Sequence, residues 1–138
     1  MSRPVFRRSP MAPVLTATAV TLTLTTAYVH FTLGSFLFTL NAAGYLGFAM
    51  LIIVGATVPH PIVARFGWLA EVGLAGYAAV TVVSYLVIGP YFALGWIAKG
   101  VEIALIGVLA ANLTGAYGSV RGAVRAAVAS LPAVRRTS

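Results

Sequence analysis

The chain has 138 residues, 60% of them hydrophobic and 8% charged, with a net charge of +7 and a mean hydropathy of +0.98. A soluble domain of this size carries about a quarter charged residues and has too little interior to hide so much apolar area, so an ordinary water-soluble globule is excluded. Cysteine is absent, which excludes disulfides and thiolate metal sites within the chain. The basic residues flank apolar segments and form no basic domain, which argues against nucleic acid as a partner.

Residues 1–13 read as a basic leader with Arg3, Arg7, Arg8 and three prolines. From Val14 to Pro59, 46 residues pass without one Asp, Glu, Lys or Arg. As a single helix this stretch would be roughly 69 Å long, over twice the hydrocarbon thickness of about 30 Å, so it must fold back. The break is expected at Gly34-Ser35, giving helices at 14–33 and 36–58. A later break at 41–44 is the alternative. The leader, the apolar run and Thr25-Thr26-Ala27 also give a weaker likeness to a cleavable signal peptide.

Helix one alternates threonine with apolar residues, a strand-like pattern in water. In lipid an open strand leaves its backbone groups unpaired, so helix is expected there. Its threonine hydroxyls can bond back to carbonyls one turn earlier. Thr18, Thr21 and Thr25 share a face, and that face is expected to pack. His30, near the helix end, is expected to be a hydrogen-bonded structural residue. A haem would need a second axial ligand, and His60 belongs to the opposite end.

Asn41 in helix two is expected to hydrogen-bond across helices. Pro59-His60-Pro61 stops that helix. Helix three is expected at 66–88, ending at Gly89-Pro90, with Glu71 in a structural ion pair with Arg65 or Arg121. Helix four is expected at 92–116. Trp96 and Tyr117, 21 positions and roughly 31 Å apart on a helix, could mark the two interfacial belts.

Two features of helix four stand out. Gly100, Ala104, Gly107, Ala111 and Gly115 form a small-residue seam, expected to pack closely on another helix. Lys99 and Glu102 lie on the other side, three residues apart. Each ionised group costs about 2.5–3.5 kcal/mol at a helix centre. The structural expectation is that Lys99 reaches outward to the headgroups while pairing with Glu102. The functional alternative is a proton or cation site.

The tail at 118–138 carries four arginines, with Val120, Val124, Val128 and Leu131 at helical spacing, which suits a helix on the membrane surface or a frayed tail. The leader, Arg65 and the tail fall on one side of a four-span chain, so both termini are expected in the cytoplasm.

The stretch from Tyr28 to Tyr45, with His30, Gly34-Ser35, Leu37-Phe38-Thr39-Leu40-Asn41 and Gly44-Tyr45, followed by Lys99-x-x-Glu102, resembles a family of small prokaryotic four-helix membrane proteins. Ser35 stands where a second glycine would be expected. The resemblance covers most of residues 28–110 and implies a fold, without an activity.

The expected fold class is all-α, an integral bundle of four transmembrane helices in a prokaryotic cell membrane. No nucleophile elbow, phosphate loop or zinc-protease motif appears, and Asp is absent. The leading functional expectation is a non-enzymatic accessory or scaffold subunit without a cofactor, in a homo-oligomer or with a membrane-protein partner. The alternative is a dimeric proton- or cation-coupled transporter or channel using Glu102 and Lys99.

Overall fold

The structure, a computed structural model, describes residues 10–130. The arginines at 3, 7, 8, 135 and 136, and Leu131, lie outside the described residues. Among the described residues there are five helices and no strand: α1 (Ala12–Thr32), α2 (Phe36–Thr57), α3 (Pro61–Ile88), α4 (Ala93–Tyr117) and α5 (Val120–Ser130). The first four are long and apolar enough to cross a membrane.

Local chemistry sets the ends. Gly34 takes φ 70°, a left-handed turn that a side chain would strain. Ser35 then caps α2, its hydroxyl accepting the Phe38 amide at 3.4 Å. α3 starts at Pro61, five residues before the expected 66. Proline stops the preceding helix but suits the first turn of the next, where its missing N–H costs nothing. The His60 ring nitrogen Nδ1 accepts the Ile62 amide at 3.3 Å and completes that cap. Gly118, at φ 74°, separates α4 from α5.

α1 packs against α2 and α4, and α3 packs against the same two, so the four long helices close into a ring. The short turns make ring neighbours antiparallel. α5 lies against α4 and α3. It is amphipathic, and Arg121, Val124, Arg125 and Val128 are exposed on it.

Each long helix turns a stripe with spacings of three and four toward the ring axis. The inward residues are Ala19, Thr23, Thr26 and His30 in α1, and Ala42, Tyr45, Ala49 and Ile52 in α2. In α3 they are Leu74, Ala78, half-buried Thr81 and Tyr85, and in α4 Gly95, Ala98, Glu102, Leu105, Leu109 and Asn112. A mean spacing of about 3.5 is the knobs-into-holes repeat of antiparallel bundles. The outward positions are also apolar, with Phe36, Met50, Val87 and Ile103 all exposed. The ring is therefore apolar outside and partly polar within.

Two expectations about faces are corrected. Thr18, Thr21 and Thr25 are exposed, and the packing face carries Thr23 and Thr26 instead. The exposed hydroxyls bond back to Val14, Ala17 and Thr21 carbonyls at 2.8–2.9 Å, so they need no neighbour. The seam of Gly100, Ala104, Gly107, Ala111 and Gly115 is likewise exposed along its length, and does not pack inside the bundle. It sits opposite the Glu102 stripe, and the polar stripe took the interior because an ionised pair has more to lose outside.

Candidate functional site

Glu102 is fully buried nine residues into α4, where side chains from all four long helices gather. Its Oε2 accepts from Lys99 Nζ at 2.6 Å and from Thr81 Oγ1 of α3 at 2.8 Å. Its Oε1 accepts from Thr26 Oγ1 of α1 at 3.1 Å and lies 3.5 Å from His30 Nε2. Tyr45 of α2 adds its hydroxyl at 3.0 Å from Thr81 Oγ1. Oε2 thus has two donors and Oε1 has one, with His30 Nε2 beside it, and the three donors offset the cost of burying the charge.

Lys99 does not reach outward. Its side chain is 7% exposed, turned in toward Glu102 and 5.6 Å from the centroid of the Tyr85 ring. A neighbouring carboxylate and an aromatic face are a better environment than one ion alone in an apolar exterior. Tyr85 also closes the nearby end: its hydroxyl accepts the Phe92 amide at 3.1 Å and lies 3.2 Å from the Phe92 carbonyl. Trp96 and Tyr91 stack beside it, 5.9 Å apart.

His30 is buried, packed against Tyr45 with ring centroids 5.6 Å apart. Its Nδ1 lies 2.8 Å from the Thr26 carbonyl oxygen, which orients the ring and leaves Nε2 facing Glu102. Asn41 stays out of this network. Its backbone carbonyl accepts the Tyr77 hydroxyl at 3.2 Å, while its buried Oδ1 has no hydrogen-bond partner, so the expected side-chain bridge across helices is not made.

Glu71 lies toward the other end of the ring. Its Oε1 accepts from Asn112 Nδ2 at 2.9 Å, joining α3 to α4. A cavity of about 890 Å³ opens there, lined among others by Thr16, Trp68, Glu71, Asn112 and Tyr117. Buried Thr23, Leu74, Leu105 and Leu109 fall between the Glu71 and Glu102 levels along their helices. Among the described residues no group of three His, Asp or Glu side chains gathers to hold a metal ion.

Of the residues singled out from sequence, Lys99, Glu102 and His30 come together, while Glu71 and Asn41 stand elsewhere. Thr26, Thr81, Tyr45, Tyr85 and Asn112 were missed. Their shared signal is position: each lies on the inward stripe of its helix.

Comparison with family models, with curated proteins and with solved structures finds no match. Membership in the family that residues 28–110 resemble is therefore not shown.

Proposed function

We propose that the protein is a non-enzymatic, multi-pass membrane protein of the prokaryotic cell membrane that serves as an accessory or scaffold subunit, with both termini in the cytoplasm. Four apolar helices of spanning length support insertion. The arginine-rich ends and Arg65 support the orientation.

The observation that carries the reading is the division of α4. Lys99 and Glu102 bond inside the chain, and the small-residue seam faces out, with no other helix within 4 Å of a Cβ built at Gly100 or Gly107. Such a stripe lets a second helix approach at backbone distance.

The test uses the lack of cysteine. Gly107→Cys introduces a single thiol, and oxidation in native membranes should trap a disulfide-linked species at that position. Protein purified from those membranes should bring the same partner, a second copy or another membrane protein. A chain that neither cross-links through position 107 nor retains a partner is not a scaffold of this kind.

The cavity at the Glu71 end, with Glu102 deeper along the ring, favours a second reading as a subunit of a proton- or cation-coupled transporter or channel. It requires that Glu102→Gln abolish coupled flux in reconstituted vesicles while the fold persists.

A further inference from the structure

We infer that the Glu102 site binds one exchangeable proton, held between Glu102 Oε1 and His30 Nε2 and distinct from the protons of Lys99. This goes beyond the scaffold reading and stands whether or not α4 has a partner.

His30 Nδ1 is 2.8 Å from the Thr26 carbonyl oxygen. A carbonyl oxygen only accepts, so Nδ1 carries a hydrogen. In a neutral ring Nε2 then presents a lone pair. That lone pair faces Glu102 Oε1 at 3.5 Å. If Glu102 is ionised and His30 neutral, two lone pairs face each other where all other polar contacts of the carboxylate are favourable. One added proton resolves this, as an imidazolium facing a carboxylate or as a carboxylic acid facing a neutral ring.

The surroundings suit a proton and little else. His30 is 2% exposed and Glu102 fully buried, with the Thr26 hydroxyl beside the carboxylate and the Tyr45 ring beside the imidazole. The groups facing the pair are His30 itself from α1, Tyr45 from α2, Tyr77 and Tyr85 from α3, and Lys99 from α4. Lys99 already balances the carboxylate charge at 2.6 Å. The extra proton therefore leaves the cluster with one net positive charge, and the Tyr85 ring face beside Lys99 softens its burial.

Two glutamates and two histidines in the whole chain make the test clean. The protein, carrying ¹³C-glutamate and ¹⁵N-histidine in phosphatidylcholine vesicles, is titrated by solid-state NMR. Glu71→Gln and His60→Asn assign the signals without touching the site. The Glu102 carboxyl and the His30 ring nitrogens should shift together with one midpoint, and that Glu102 shift should vanish in His30→Gln. Separate midpoints, or signals that stay fixed over the whole range in which the protein remains folded, overturn the proposal. The wild-type titration decides alone if His30→Gln does not fold.

Discussion

Glu102 in α4 accepts the hydroxyl of Thr26 in α1 at 3.1 Å, across 76 positions of chain. With the bond from Thr81 at 2.8 Å, this ties the last long helix to the first and to the third through one carboxylate. Removing either member of the charged pair therefore does more than delete one contact.

Glu102→Gln leaves a buried ammonium without its counter-ion, and Lys99→Met leaves a buried carboxylate. Breaking a buried pair from one side costs about 3–5 kcal/mol. The double substitution should cost less than the two singles together, with a coupling of about 0.5–3 kcal/mol. Unfolding of all four forms in one detergent measures this, and additive losses would mean that the pair does not act as a unit.

Gly44 and Gly47 are neighbours in α2 with opposite surroundings. A Cβ on Gly44 would run into the Tyr77 hydroxyl and ring, whereas one on Gly47 meets nothing within 4 Å. Gly44→Ala should destabilise by about 1–3 kcal/mol through overpacking. Gly47→Ala should stabilise by about 0.5–1 kcal/mol, the usual helical preference for alanine. The opposite signs, read from thermal unfolding, check the packing of α2 on α3.

Gly107→Leu separates folding from association. Residue 107 faces outward on a helix, so the isolated chain should lose no stability and gain up to about 1 kcal/mol, the helical preference of leucine over glycine. The partner-bound species should fall or disappear. A large loss of stability in the isolated chain would instead put the seam in the interior.

The proposed orientation has its own check. Reporters fused at Met1, near His60 and at Ser138 should report cytoplasm, and those at Gly34 and Gly89 the outside. A C-terminus outside would overturn the even number of crossings.

The four apolar helices were legible because charge is missing from long stretches and because Gly34, Pro59-His60-Pro61 and Gly89-Pro90 punctuate them. Which face of each helix turns inward was not legible from hydropathy. Leu105 points in and Ile103 points out, so apolar side chains mark both sides. Threonines and small residues also lie on both sides, as buried Thr23 beside exposed Thr25 and buried Ala98 beside exposed Gly100 show, whereas His30, Lys99 and Glu102 all turn inward. Sequence reasoning isolated Lys99-x-x-Glu102 by its charge but gave no reason to join it to His30, since nothing local to α1 indicates what lies opposite. Thr81 and Asn112 were invisible for the same reason. The seam was recognised and its direction was not, because small residues suit close packing inside a chain and between chains alike.

Closure of the ring between α1 and α4 has a meaning for how the chain is made. Synthesis delivers Thr26 and His30 first, and Glu102 follows 72 residues after His30. Until then Thr26 and His30 lack the Glu102 carboxylate, and the three-helix intermediate is open along that side. Lys99 and Glu102 emerge almost together and arrive already matched in charge, which lowers the barrier to admitting α4. A chain cut short before α4 thus leaves the Thr26 hydroxyl and His30 Nε2 without the carboxylate they face in the finished ring.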